Sequence, residues 1–200
     1  MASIPRQQEG NQSDVGQKLE ASTPRQAHSN FVEASRRLLD VNHWHEYSGR
    51  PSAIFQLNDR HGIKVDRLAK PGDYIRIDIP GPGSATGQGY DWVIVESIDD
   101  KPNPGGEQES VIMIVRPVSS PLSGEPDVAH FFDGNATSTF RVERRGLRVV
   151  ASEHGRNELP NINVNRAVDK IRNRFVAGTA TSGVAAFQWS LLMKGLLKDL

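Results

Sequence analysis

The sequence predicts an α+β protein in which an antiparallel sheet or partial barrel is flanked by an N-terminal helix and two C-terminal helices. Short segments of alternating or wholly apolar character follow one another between residues 54 and 153, as strands do. Apolar residues recur at helical spacing before and after this region. Because no helical segment separates the strand candidates, neighbouring strands are expected to pair antiparallel.

The chain organisation predicted is a polar tail followed by one domain. Of the 200 residues 36% are hydrophobic, which suits a single α+β domain over residues 27–200. Residues 1–26 are rich in Gln, Ser, Glu and Pro and lack aromatics, so they are predicted to be disordered. The tail lacks the apolar segment of a signal peptide, and no run of apolar residues in the chain is long enough to span a membrane. The absence of cysteine excludes disulfides and thiolate chemistry and is compatible with the expected cytoplasmic location.

The first helix is predicted to begin at Asn30, with Glu33 three residues later in the position of a capping box. Six strands are expected after it, the last two forming a hairpin around residues 144–146. The apolar face of the helix comprises Phe31, Ala34, Leu38, Val41 and Trp44, and the strand candidates are residues 54–57, 74–79, 90–98, 111–115, 140–143 and 147–153.

Two helices are predicted to close the chain. The last, over residues 182–199, is so apolar that it must cover the sheet or form a homo-oligomer interface. Lys194, Lys198 and Asp199 are expected to face water. The apolar stripe of the first of the two helices comprises Val164, Val168, Ile171 and Phe175, and that of the second comprises Val184, Phe187, Trp189, Leu192, Met193, Leu196 and Leu197.

Three stretches resemble an uncharacterised family of bacterial proteins of the Bacteroidetes type: residues 39–45 (LDVNHWH), 72–83 (GDYIRIDIPGPG) and 154–158 (HGRNE). This resemblance implies no activity. The order of a helix, a curved antiparallel sheet and a long C-terminal helix is also similar in outline to the START-like helix-grip fold. Two features depart from that outline, namely an extra helix before the last one and the lack of the helical pair that usually follows the first strand.

The densest group of chemically capable side chains is His154, Arg156 and Glu158, at the point where a strand is predicted to give way to a loop. Histidine could act as a general base, glutamate as its orienting group or as an acid, and arginine as an anion clamp. The alternative is a polar turn in which Asn157 and Glu158 satisfy backbone groups before Pro160.

A ligand pocket is expected to be lined by His43, Trp44, His45 and Trp92. Two positions apart on a helix, His43 and His45 diverge too far to share a metal ion. On a frayed helix end they could converge, with His130 or His154 completing a site, but structural histidines are the favoured interpretation and no metal site is predicted. The glycine-rich stretch 81–89 leads into a strand and lacks the Gly-Lys-Ser/Thr of a phosphate loop, so it is interpreted as a loop between strands.

Three functions stay open. The first is a non-enzymatic binding module that holds a small apolar ligand, or a protein partner, between the sheet and the final helix. The second is an enzyme that uses His154, Arg156 and Glu158. The third is an anion or nucleic-acid binder that uses the basic C-terminal third, where nine bases face four acids between Arg141 and Arg174. The net charge of zero over the whole chain disfavours nucleic acid, and no cofactor is expected.

Overall fold

A computed structural model describes residues 3–49, 53–79, 84–124, 126–162, 169, 173 and 185–200. The predicted α+β class with an antiparallel sheet is confirmed. The seven described strands form one open sheet in the order β1-β7-β6-β5-β4-β3-β2. Their bounds are β1 Asn11–Glu20, β2 Ile54–Asn58, β3 Tyr74–Asp78, β4 Asp91–Lys101, β5 Gln108–Pro117, β6 Thr137–Arg145 and β7 Arg148–Glu158.

The described helices are α1 Pro24–Leu39, α2 Trp44–Ser48 and α3 Ala185–Leu196, with a 3-10 turn over Val41–His43 between α1 and α2. No helix in the described part of the chain is both long and apolar enough to cross a membrane. The stripe of Val164, Val168, Ile171 and Phe175 lies outside the described residues, and so does Val184.

The prediction that residues 1–26 are disordered is wrong for most of that segment. Residues 11–20 form β1, which pairs antiparallel with β7 from Asn11 opposite Glu158 to Glu20 opposite Arg148. The backbone hydrogen bonds of an added strand do not depend on side-chain character, and an edge strand has one side free of partners. A strand with few apolar residues can therefore be ordered by the sheet it joins. With β1 in place, two helices follow the first strand, as the helix-grip outline requires.

Helix α1 begins earlier than the predicted Asn30. Thr23 is the N-cap, its side chain accepts a 3.2 Å hydrogen bond from the Gln26 amide, and Pro24 occupies the first helical position. Asn30 instead lies buried inside the helix. The Thr-Pro start was overlooked because it falls in the segment interpreted as disordered.

The hydrophobic core lies between one face of the sheet and helices α1 and α3. Helix α3 covers the sheet, which is one of the two arrangements predicted for it. Lys194, Lys198 and Asp199 face water as predicted. Phe187 is an exception, because it is 61% exposed. The buried apolar side chains of α3 are those of Leu192, Met193 and Leu196, followed by Leu197 just beyond the helix.

Candidate functional site

The two faces of the sheet carry different chemistry. The inner face packs against the helices, and on β7 it presents Val149 and Ala151, both fully buried. The outer face carries the alternate residues of the same strand, among them Ser152 and His154, which are only partly buried. The carboxyl groups of interest divide between these two faces.

One carboxyl group lies fully buried on the inner face. Glu153 continues the inner-facing alternation of β7, and its Cα partners are Val15 on β1 and Phe140 on β6. Its side chain is fully buried, and neither carboxylate oxygen makes a hydrogen bond of normal geometry, although the Ser138 hydroxyl lies nearby. A buried and unpaired charge is costly, so the neutral acid is the favoured form in this structure.

A second carboxyl group, that of Glu158, lies close to Glu153. Burial raises the pKa of Glu153 well above its usual range, and the charge of Glu158 raises it further, while the Ser138 hydroxyl and Arg156 oppose the rise. Burial also raises the pKa of Glu158, whose Oε1 accepts a 3.2 Å hydrogen bond from the Ser13 hydroxyl. We call Glu153 and Glu158 the inner carboxyl pair.

An irregularity at the end of β7 brings these two acids to one face. Because side chains alternate along a strand, an odd-numbered and an even-numbered residue such as Glu153 and Glu158 would lie on opposite faces of a regular strand. Asn157 has a left-handed φ of 56°, and the register with β1 shifts between Asn11 and Ser13. The Glu158 carboxyl consequently lies over Gly155, where a β-carbon would collide with it and with the Ser13 hydroxyl.

Aromatic rings border the inner carboxyl pair. Phe140, directly opposite Glu153 on β6, has its ring centroid 5.1 Å from that of Trp189 on α3 and 4.9 Å from that of Trp44. Phe55 completes this cluster, 5.9 Å from Trp189. The inner surface around the acids is therefore mainly apolar, with two carboxyl groups as its polar feature.

The predicted group of His154, Arg156 and Glu158 does not converge. His154 and Arg156 lie on the outer face, where both bind Oδ1 of Asp14 on β1, at 2.5 Å and 2.7 Å. Glu158 turns to the inner face and Ser13. The predicted strand end was also misplaced, because β7 continues to Glu158 through its pairing with β1.

The predicted ligand-binding residues do not form one site either. Trp44 is buried in the inner core and donates a 3.0 Å hydrogen bond to the Leu38 carbonyl. Trp92 lies on the outer face, buried beneath residues 84–90, and donates to the Gly87 carbonyl at 3.3 Å. His43 and His45 are partly exposed on the helical side. A 2.7 Å hydrogen bond with Asp40 raises the pKa of His43.

The glycine-rich loop does hold an anion, but that anion belongs to the chain. The Asp169 carboxylate accepts hydrogen bonds from the backbone amides of Ala85 and Thr86, each 2.8 Å long, and from the Thr86 hydroxyl at 2.6 Å. Asp169 and Thr86 are both buried. Residues 81–83 of the stretch lie outside the described residues.

The basic C-terminal third is not an open anion-binding face in the part of the chain that the structure describes. Arg144 is buried against Glu109, Arg148 pairs with Glu20, and Arg156 pairs with Asp14. Arg141 and Arg145 both pair with Glu143, while Arg166 and Arg174 lie outside the described residues. Across the described residues, no group of three His, Asp or Glu side chains is arranged to hold a metal ion.

A surface groove of about 470 Å³ lies away from the inner carboxyl pair, between α2 and the C-terminal end of α3. Arg37 lies along it and donates hydrogen bonds to the carbonyls of Gly195 and Lys198, at 3.2 Å and 2.8 Å. These bonds satisfy carbonyl groups at the end of α3, so the guanidinium has a structural role.

Sequence reasoning overlooked Glu153, although one signal for it was present. In the run of Val149, Ala151 and Glu153 an acid takes the place of an apolar residue on the buried face of a predicted strand. Such an interruption indicates a buried polar group. The position of Glu158 beside it, however, depends on β1 and on the irregularity at Asn157.

Comparisons with solved structures find similar but distant folds. Norcoclaurine synthase from Thalictrum flavum is 12% identical, with a TM-score of 0.44 over 100% of this chain and 98% of that one. A protein from Arthrobacter aurescens is 8% identical, with a TM-score of 0.43 over 94% and 87%. Major latex-like protein 151 from Panax ginseng is 12% identical, with a TM-score of 0.40 over 87% and 97%.

No protein-family model matches the sequence, and a search of curated proteins gives no significant match.

Proposed function

We propose that this protein is a small-molecule-binding module whose ligand lies against the inner face of the sheet and binds the Glu153 carboxyl group. The observation that carries the proposal is that Glu153 is fully buried and that neither oxygen makes a well-formed hydrogen bond, even to the nearby Ser138 hydroxyl. Buried polar groups in folded proteins almost always have partners, and an exception calls for an explanation. A ligand that supplies the missing hydrogen bonds is such an explanation.

The surroundings of Glu153 support a ligand that is mostly apolar. Its neighbours across the sheet are Val15 and Phe140, and Trp189 packs on Phe140 from α3. Binding sites for small molecules commonly combine such apolar walls with a few polar groups that fix orientation. Because α3 already covers this face, the proposal requires no second subunit.

The ligand's polar group is a basic nitrogen or a hydrogen-bond acceptor rather than an anion. A neutral Glu153 can donate one hydrogen bond, and an ionised Glu153 can accept a bond from an ammonium group. An anionic ligand would meet the negative charge of Glu158 in a poorly solvated place. The site therefore favours amines and neutral molecules over carboxylates.

A matched series of probes tests this proposal. We expect 4-phenylbutylamine and 4-phenylbutanol to bind in isothermal titration calorimetry, and 4-phenylbutanoate not to bind. The Glu153→Gln substitution should weaken the amine about 10- to 100-fold, because a hydrogen bond to a charged group contributes about 1.5–3 kcal/mol. It should weaken the alcohol less.

The control is Glu46→Gln, which removes an exposed carboxylate on α2 and should leave all three affinities unchanged. Equal binding of the amine by the native protein and the Glu153→Gln variant would contradict the proposal. So would preferential binding of the carboxylate.

A further inference from the structure

The outer face of β7 carries a second arrangement, separate from the inner carboxyl pair. Ser152 and His154 are two residues apart on this strand and lie on the same face, and Asp14 of β1 is directly opposite His154. The two ring nitrogens of His154 contact different partners. Nδ1 lies 2.5 Å from Asp14 Oδ1, and Nε2 lies 3.1 Å from the Ser152 hydroxyl oxygen.

From this geometry we infer that Ser152, His154 and Asp14 form a nucleophile–base–acid triad on the outer face, able to hydrolyse small, unhindered carboxylic esters. The inference does not depend on the proposed function, since the two sites lie on opposite faces of the sheet. Of the predicted group of His154, Arg156 and Glu158, only His154 belongs to this triad. The acid that orients the histidine is Asp14 rather than Glu158.

The hydrogen bonds define the roles of the three residues. With its proton on Nδ1, His154 donates to Asp14, and its Nε2 then accepts the hydrogen bond of the Ser152 hydroxyl. A serine is activated as a nucleophile by a base in this position, and the base is oriented by a third group. Arg156 donates a 2.7 Å hydrogen bond to the same oxygen of Asp14.

Asp14 remains an anion in this setting. Partial burial opposes ionisation, but hydrogen bonds from Arg156 and His154 outweigh it and lower the pKa of Asp14 below its usual range. A carboxylate here stabilises the imidazolium that forms when His154 takes the serine proton.

Donors for the developing negative charge lie on the neighbouring strand. Arg141 on β6 is the direct partner of Ser152, and its Nε is buried without a hydrogen-bond partner. The partner of His154 is Thr139, whose hydroxyl is likewise buried and unpaired. Unsatisfied donors beside a nucleophile are the groups that stabilise an oxyanion.

Gly16 leaves room beside the nucleophile. It lies opposite Ser152 on β1, and a β-carbon there would be 3.6 Å from the Ser152 β-carbon. Gly16 does not have a positive φ, so the backbone does not demand a glycine. The vacant side-chain position gives an acyl group access to the hydroxyl.

The reaction has two steps. The Ser152 oxygen attacks the ester carbonyl carbon while its proton passes to His154 Nε2, and the intermediate expels the alcohol, which takes that proton. Water then attacks the acyl-serine, again giving a proton to Nε2, and the serine oxygen leaves and recovers it. The products are the carboxylic acid and the alcohol, and the enzyme is unchanged.

The test uses a fluorophosphonate probe, which forms a phosphonyl bond to an activated serine with loss of fluoride. Intact-mass and peptide mapping of the full chain should show one adduct on Ser152. Ser152→Ala should abolish it, and Asp14→Asn and His154→Gln should slow it about a hundredfold or more, the usual contribution of a positioned base. Hydrolysis of 4-nitrophenyl acetate should fall in parallel. Gly16→Val should also slow labelling, because it fills the space beside the hydroxyl.

Matched controls are Ser97→Ala, a partly buried serine on β4, and His61→Gln, an exposed histidine in a turn. Neither should alter labelling, and Glu153→Gln should leave it unchanged as well. The absence of an adduct on Ser152 in the native protein at excess probe would overturn the inference. Labelling that persists at the native rate in folded Asp14→Asn and His154→Gln variants would also overturn it.

Discussion

Two buried glutamates on the inner face, Glu109 and Glu153, differ in almost every respect except burial. Each is fully or nearly fully removed from solvent. Glu109 lies where β5 begins and accepts hydrogen bonds from three donors, whereas Glu153 lies in β7 with the Ser138 hydroxyl nearby but no hydrogen bond of normal geometry to either oxygen. Burial raises the pKa of both, but only at Glu109 do hydrogen bonds and a paired cation reverse the effect.

The network around Glu109 is complete. Its carboxylate accepts hydrogen bonds from His28 at 2.9 Å, from Arg144 Nε at 2.5 Å and from the Asn103 amide at 3.0 Å. Arg144 in turn donates to the Gly106 carbonyl at 2.6 Å. This network ties α1, through His28, to the β4–β5 hairpin and to β6. A network that is fully paired and links these elements has a structural role.

Glu109 and Glu153 differ in whether the carboxyl group is left available to bind a ligand. A buried charge whose partners are all present stabilises one conformation and leaves no group for a ligand. A buried acid without partners lowers stability in the unliganded protein, and such a cost is typical of functional sites. This contrast is the reason for assigning ligand binding to Glu153 and a structural role to Glu109.

The largest effect should come from breaking the complete network. Glu109→Gln leaves the Arg144 guanidinium, only 3% exposed, without its counter-charge. Removal of one partner from a buried ion pair costs about 3–5 kcal/mol. We expect a loss of that size in the free energy of unfolding, measured by urea denaturation at neutral pH.

The matched control is Glu96→Gln, which breaks the half-exposed pair of Glu96 and Arg116 on the same sheet. Exposed pairs contribute about 0–1 kcal/mol, so this variant should be close to native. A Glu109→Gln variant as stable as the control would show that the network does not hold the fold together.

The fold could be predicted from sequence better than either site. Strands such as 74–79 alternate clearly, and the 144–146 turn between two apolar runs marks a hairpin, so local pattern was sufficient. Strand β1 has only Val15 and Leu19 as aliphatic side chains and is ordered by pairing with a segment about 140 residues away. Local composition contains no information about that partner.

The sites depend on the same distant pairing. Asp14 and Ser13 belong to β1, so an interpretation of residues 1–26 as disordered removes the partners of His154 and Glu158 at once. The shift of Glu158 to the inner face follows from the backbone of Asn157, whose φ is positive. Asparagine tolerates this conformation but does not require it, so the sequence could not show it.

A smaller effect per pH unit is expected from the pH dependence of stability at Glu153. The pKa of Glu153 is raised on folding, so its contribution to stability is complete below the ordinary value of about 4.5 and is lost as pH rises from there through the folded value. While the folded group remains protonated, each pH unit costs about 1.4 kcal/mol. Glu153→Gln should remove this slope.

Urea denaturation at several pH values between 4 and 8 measures the difference between the native protein and Glu153→Gln. The variant should gain relative stability steadily as pH rises. Glu109 should behave with the opposite sign, because its lowered pKa makes stability fall only as pH drops below about 4.5. A flat difference for Glu153→Gln would mean that Glu153 is ionised in the folded protein and has a partner.

The smallest effect, and the sharpest test of the contrast, concerns Glu158. Its negative charge is the second cause of the raised pKa of Glu153, after burial. Glu158→Gln removes that charge and retains a group that can accept the Ser13 hydrogen bond. The pKa of Glu153 should therefore fall but stay above its usual range, because burial is unchanged.

Carbon-13 NMR titration of the glutamate carboxyl groups measures this directly, with Glu46→Gln as the control that leaves the titration of Glu153 unaltered. An unchanged titration in Glu158→Gln would show that the two acids do not share one site, and Glu153 alone would then have to anchor the ligand.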